Sequence, residues 1–327
     1  MKKVIYLTAT LVLVLSLTIG CTSDKTDPDD SNKGVIVDED QEAADKSDKD
    51  DDVEDERTAE DIMDEFGDKI EISLIDAGNF IDKNIDKLSE TEVDEMVSEL
   101  IKRTEENIEK VRSRISDIDK DQEVMDSFKD DLYLSQDQID KMNDDELKEE
   151  LKKLQDENYR LINIEGQYDP VVNYEGFKKY DDHVSDEVRD YINLKARDTN
   201  KPVALDGELY ISYEELADRI IETENYIKKY GEGDRYAEAL NMYRNKLNIY
   251  MLGLPNTPMT EDSSDKIKQE LMDSYEQTAL IQDSSSGFIV GKYIKAIKEN
   301  KNLIDDEIKS KGELLLEEAT ELIGRGK

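Results

Sequence analysis

Few side chains in this 327-residue chain are suited to covalent chemistry. There is one histidine, His183, one cysteine, Cys21, and no tryptophan. Any histidine-dependent triad would have to run through His183. That residue sits in the acidic stretch Asp181, Asp182, His183, Val184 beside a helix end, where a surface or capping role suits it better. Zinc and haem sites draw on Cys and His ligands that this composition lacks. No Gly-x-Ser-x-Gly nucleophile elbow occurs. Carboxylates are the opposite case: 83 Asp and Glu can supply any pair that glycoside hydrolysis needs, and no spacing singles one pair out. The residues point to a non-enzymatic chain with no catalytic set, no metal site and no cofactor.

Calcium is the remaining inorganic candidate. Asp29, Ser31 and Gly34 stand at the first, third and sixth places of an EF-hand loop, but Lys33 occupies the fifth and Asp40 stands where a bidentate Glu belongs. Asp117, Asp119 and Asp121 are followed by Gln122 instead of the turn glycine. The Asp50, Asp51, Asp52 run offers only loose cation binding.

Recognition chemistry is better represented. Fourteen of the sixteen Tyr lie between Tyr159 and Tyr293, and tyrosine gives stiff, amphipathic contact area. Tyr236, Tyr243 and Tyr250 repeat at heptad spacing, which suits core packing with hydroxyls at the rim. The candidates for contact are Tyr210, beside the Asp206-Gly207 turn, and the two-proline loop Leu254, Pro255, Asn256, Thr257, Pro258.

The formal net charge is −39. Such a chain does not bind nucleic acid by neutralising phosphates. Anionic headgroups and wall polymers repel it, whereas cations and basic proteins are drawn to it. A solvated surface that maintains solubility accounts for the same bias.

These residues must be positioned by helices. The fold class expected is mainly all-α, in two parts. Residues 59–166 form an elongated helical bundle or coiled-coil-like hairpin, and residues 167–327 a Tyr-rich helical domain with one small β-hairpin at 203–211. Thr58 with Asp61, Ser89 with Glu92 and Ser135 with Gln138 resemble capping boxes. Val93, Val97, Leu100, Thr104, Ile108, Val111, Ile115 and Ile118 predict one helix of about 28 residues whose stripe is core or a seam for self-association. Leu147, Leu151, Leu154, Leu161 and Ile162 continue a further helix, and residues 166–170 are the expected boundary. Asp206 and Gly207 between short apolar runs predict the hairpin. Gly253 is the expected stop of a helix begun near Asp234, residues 284–287 a break, and Gly312 an interruption of the last helix.

The chain begins with Lys2 and Lys3, an apolar run from Val4 to Ile19, then Gly20 and Cys21. This is the grammar of an export signal. The run is shorter than the roughly 20 residues of a spanning helix. The stretch resembles the signal of bacterial lipoproteins, whose lipobox ends in a small residue and a cysteine, although Leu17 stands four residues before Cys21 and Thr18 three. The resemblance covers residues 1–21 only. It implies that residues 1–20 are removed and that Cys21 is lipidated, leaving no thiol in the mature chain. It also implies a protein held outside the cytoplasmic membrane by acyl chains. The Lys, Ile, Asn and Asp bias suggests a low-GC Gram-positive host. Residues 21–58 are an acidic disordered tether: residues 22–58 carry sixteen Asp or Glu against five Lys or Arg. A flexible chain of that length spans roughly 30–35 Å.

The resulting expectation is a lipid-anchored binding or scaffold module that contacts another envelope protein or the peptidoglycan. Two alternatives belong to other classes. One is the solute-binding lipoprotein of a transporter, against which the missing β/α alternation counts. The other is an extracytoplasmic chaperone whose acidic helices cradle basic clients.

Overall fold

The structure, a computed structural model, describes residues 57–116, 121–231 and 233–325. The signal, Cys21, most of the tether, and the calcium-like stretches at 29–40, 50–52 and 117–120 fall outside them. The described residues are mainly helical, with two small antiparallel hairpins. All of them lie within one compact unit, Asp55–Lys327.

Helix α1 (Ala59–Ile72) starts at a reciprocal capping box: Asp61 N–H donates to Thr58 Oγ1 at 3.1 Å and Thr58 N–H to Asp61 Oδ2 at 2.9 Å. Ser73 ends α1 and caps α2 (Leu74–Asn84). Ser89 and Glu92 make the second box, at the head of α3 (Glu90–Glu106). The single long helix expected after Ser89 is two. Asn107 closes α3, and α4 (Ile108–Ser116) comes directly after it. Val93, Val97, Leu100, Thr104, Val111 and Ile115 are all buried. α1, α2 and the 3-10 helix at Tyr174–Tyr180 pack on α3, so this part of the seam is filled from within the chain.

Helices α5 (Asp121–Phe128), α6 (Gln136–Asp140) and α7 (Asp145–Asp156) lead to a hairpin that the helical reading of Leu161 and Ile162 missed. Strands β1 (Tyr159–Ile164) and β2 (Gln167–Val172) pair from Tyr159↔Val172 to Ile164↔Gln167. Glu165 and Gly166 both have positive φ, the signature of a tight hairpin turn. Residues 166–170, the expected boundary, are thus the turn and part of β2. The packing runs across them: Tyr159 Oη donates to Thr104 O at 2.7 Å, Arg112 grips Asp169 at 2.7 and 2.9 Å, and Ser185 N–H donates to Asp94 at 2.8 Å.

Helix α8 (Asp186–Asn200) precedes the expected second hairpin, β3 (Ala204–Leu205) and β4 (Glu208–Leu209), turning at Asp206 and Gly207. Helix α9 (Tyr213–Lys229) is the hub of the C-terminal helices. It packs on α8, on α10 (Tyr236–Leu252), α11 (Gln269–Thr278), α12 (Ser285–Glu299) and α13 (Asp306–Arg325). Tyr243 and Tyr250 pack in the core as expected, but their hydroxyls are buried with them instead of reaching the rim, and Tyr236 is half-buried. Tyr243 Oη meets Ser286 Oγ at 2.9 Å, and Tyr250 Oη meets Ser274 and Thr278 hydroxyls at 2.6 and 2.9 Å. Residues 284–287 are the cap and first turn of α12, since Ser284 Oγ accepts from Gly287 N–H at 2.9 Å. Gly312 does not interrupt α13; it admits the side chains of Leu252 and Tyr293 against the helix.

Gly253 ends α10 at φ 73°, ψ −170°, a region that only glycine occupies without strain. A Cβ there would stand 3.1 Å from Met259 N and Thr257 O. Gly253→Ala is expected to lower unfolding free energy by about 1–3 kcal/mol. Gly67→Ala, in α1 with open space around the added carbon, is expected to raise it by about 0.5–1 kcal/mol. Denaturant titration of the two variants reads both signs.

Candidate functional site

The site is built outward from the inner face of α9. Ser212 caps this helix, its Oγ accepting from Glu215 N–H at 3.1 Å. Arg219 is 1% exposed. Its guanidinium donates to Asp198 of α8 at 3.2 Å, to Lys201 O at 2.7 Å and to Glu215 at 2.5 Å. Lys246 of α10 is buried as well, 2.5 Å from the other oxygen of Asp198 and 3.1 Å from Thr223 Oγ1. Burial holds its ammonium below the ordinary lysine range, and Asp198 works against that shift. One turn on, Glu224 receives the first turn of α12. Ser284 Oγ donates at 3.0 Å, Ser285 N–H at 2.6 Å and Ser286 N–H at 2.9 Å, while Lys228 pairs with it at 2.6 Å. Burial pushes the Glu224 carboxyl up, but Lys228 and the Ser286 and Ser285 donors hold it below its ordinary value. A carboxylate at a helix N-terminus is also favoured by the helix dipole.

With its inner face held on three sides, α9 presents Tyr213, Glu214 and Asp218 to a groove of about 810 Å³. Strand β4 supplies Glu208 and Leu209, and α11 supplies Glu270, Asp273 and Gln277. Ile211, Ala217 and Ile281 are its main apolar lining besides Leu209. The volume falls within the roughly 300–1,000 Å³ of ligand clefts. Tyr213 is 8% exposed, and its hydroxyl is covered and has no hydrogen-bond partner. Burial and the Glu270 carboxylate push that hydroxyl up to about 12.

The two stretches singled out for recognition meet at the edge of this groove. Leu254 and Thr257 exchange backbone hydrogen bonds at 3.0 and 3.1 Å, which closes the proline loop on itself. Asn256 N–H then donates to Gly207 O at 2.9 Å, and its amide to Asp206 O at 2.6 Å. Thr257 Oγ1 accepts from Leu209 N–H at 2.9 Å and lines the groove. Leu254 is half-buried, whereas Pro255, Asn256 and Pro258 form an exposed rim. Tyr210 is exposed and stands outside the groove lining, although its neighbours Leu209 and Ile211 belong to it. It lies near Tyr133, over whose ring Arg160 sits at 3.8 Å.

The groove carboxylates were not legible as a site. Glu214 and Asp218 lie one turn apart on α9, Glu270 and Asp273 likewise on α11, spacings that any solvated helix face shows. His183 lies in the turn between the 3-10 helix and α8, its N–H donating to Tyr180 O at 2.9 Å. Among the described residues no group of His, Cys, Asp and Glu is arranged to hold a metal ion, and no helix is long and apolar enough to cross a membrane. The geometry lends itself to binding cationic groups.

Glu224 supplies a pH test. Its folded value lies below the ordinary 4.5, so its stabilisation is complete above that pH and is lost as pH falls through the folded value. Glu224→Gln is expected to cost about 1.5–3 kcal/mol at neutral pH. The gap between variant and parent in urea unfolding should close as the pH drops below 4.5. No protein-family model matches this chain, and no curated protein or solved structure matches it significantly.

Proposed function

We propose that this chain is a non-enzymatic binding module of the bacterial cell envelope. It is held outside the cytoplasmic membrane through lipid on Cys21, lifted by the acidic stretch 21–58, and meets another envelope component with the face around the proline loop. The observation that carries the reading is the set of hydrogen bonds from Asn256 and Thr257 to Asp206, Gly207 and Leu209. They fix two exposed turns into one rigid rim beside a groove. A preorganised rim binds without a large ordering cost. The lone histidine and lone cysteine of the sequence favour binding over catalysis.

The anchor is tested with a clickable palmitate analogue fed to cells. Label is expected on the parent and not on Cys21→Ser, with the variant released from the membrane fraction. Label on both, or on neither, contradicts the anchor. The contact is tested in cells with a photo-crosslinking amino acid at Pro258 and, on the remote surface, at Ile72, which is 83% exposed. A discrete partner, protein or wall fragment, is expected from Pro258 alone. Equal capture from both positions, or capture from neither, contradicts the binding face.

A further inference from the structure

Resting on the binding-module reading, we propose that the groove between β4, α9 and α11 docks a basic amphipathic peptide segment of a partner protein. Lysine or arginine side chains of that segment meet the carboxylates, and its apolar side chains meet the lining.

The first ground is charge left unneutralised in one place. Glu208, Glu214, Asp218, Glu270 and Asp273 line the groove, and no lysine or arginine does. Neighbouring cations are engaged elsewhere: Lys201 and Arg219 pair with Glu215, Lys228 with Glu224, and Lys298 with Glu276. Other concavities of the molecule carry cations among their acids. In the one between α8 and α9, Arg197 pairs with Glu222 at 2.6 Å and Lys229 with Asp190 at 3.0 Å. The one between α1 and α3 has more carboxylates than cations, but Lys102, Arg103 and Arg235 line it too, and Arg103 pairs with Glu99 at 2.7 Å. A cleft lined by one sign of charge concentrates ligands of the other sign.

The second ground is independent of charge. Tyr213 lines the groove, is more than nine-tenths buried, and carries a covered hydroxyl without a partner. A buried donor left unmatched is costly. A peptide carbonyl would accept from it once the side chains covering the hydroxyl shift.

The occupant's chemistry emerges from comparing candidates. A metal ion needs converging ligands, and the carboxylates belong to three separate elements without forming such a group. A glycan needs an exposed aromatic platform, and the only aromatic lining the groove is the buried Tyr213. Strand addition is closed as well. Leu209 N–H is taken by Thr257 Oγ1 and Tyr210 N–H by Val203 O, so β4 offers the ligand no free donor there. Recognition therefore runs through side chains. The apolar lining continues at Ile281, 39% exposed, onto Leu280, 73% exposed, which gives an amphipathic segment a place for its apolar residues.

The test uses the full chain in detergent and fluorescence anisotropy of a short labelled peptide with lysine and leucine in alternating pairs. Its counterpart has serine in place of leucine. Glu214, Asp218 and Glu270 are all exposed, so Glu214→Gln, Asp218→Asn and Glu270→Gln combined should fold as the parent does. That triple variant is expected to bind about tenfold more weakly, from roughly half a kcal/mol per exposed pair. A control that removes the same charge at exposed Glu146, Glu149 and Glu313, each to Gln, should change affinity less than about twofold. The serine peptide should bind more weakly than the leucine peptide. Equal loss in both variants would reduce the effect to the chain's general acidity and overturn the proposal. So would equal affinity for the two peptides, or no binding of the leucine peptide. Photo-crosslinking from Ile281 in cells separates this proposal from the one beneath it. Capture of a protein through a basic segment supports both. Capture from Pro258 but not from Ile281 overturns the groove and leaves the binding module standing.

Discussion

Asp198 is the anion on which two buried cations depend. Arg219 of α9 and Lys246 of α10 reach its two oxygens at 3.2 and 2.5 Å, and both cations are almost wholly removed from water. Removing such groups from solvent costs several kcal/mol per ion, which ion pairs and hydrogen bonds must offset, although Arg219 Nε is buried without a partner. Arrangements of α8, α9 and α10 that separate these groups leave the buried Lys246 ammonium uncompensated, while Arg219 keeps only Glu215 of its own helix. Glu224, five residues after Arg219, extends the same demand to α12 by taking the donors of Ser284, Ser285 and Ser286. Apolar packing would favour many ways of stacking amphipathic helices. The charges select one of them.

The groove is a consequence of that selection. With Arg219, Thr223 and Glu224 turned inward, helical geometry leaves Glu214 and Asp218 on the outer side of α9, facing α11. Gly253 then turns the chain out of α10 so that Asn256 and Thr257 reach the Asp206-Gly207 hairpin. The acidic wall and the rigid rim are thus positioned from the same hub, one through its helix face and the other through the helix paired with it.

The features legible in the sequence were local. Thr58 with Asp61, Ser89 with Glu92 and Ser135 with Gln138 set helix starts through bonds spanning three residues, and Asp206-Gly207 set its turn through backbone preference. The mainly α fold class comes from such signals. The features that stayed hidden depend on partners distant in the chain. Leu161 and Ile162 fit a buried strand as well as a helix; the strand pairs along its length with Gln167–Val172 and exchanges further backbone bonds with Leu132 and Leu134. Arg219, Glu224 and Lys246 look in sequence like any charges on amphipathic helices, because nothing local reveals that serines 60 residues away will meet them. The proline loop and Asp-Gly turn were each readable; their union through Asn256 was not.

The most direct test is hydrogen exchange of the full chain carrying Asp198→Asn, compared with the parent at neutral pH. The substitution keeps the shape of the side chain and removes the anion shared by Arg219 and Lys246. If the buried pairing fixes the hub, protection should fall along Tyr213–Lys229 and in the 254–259 loop, while α1 to α4 stay as protected as before. A loss confined to α8, with α9 and the loop unchanged, would contradict the claim that the buried charges position the groove.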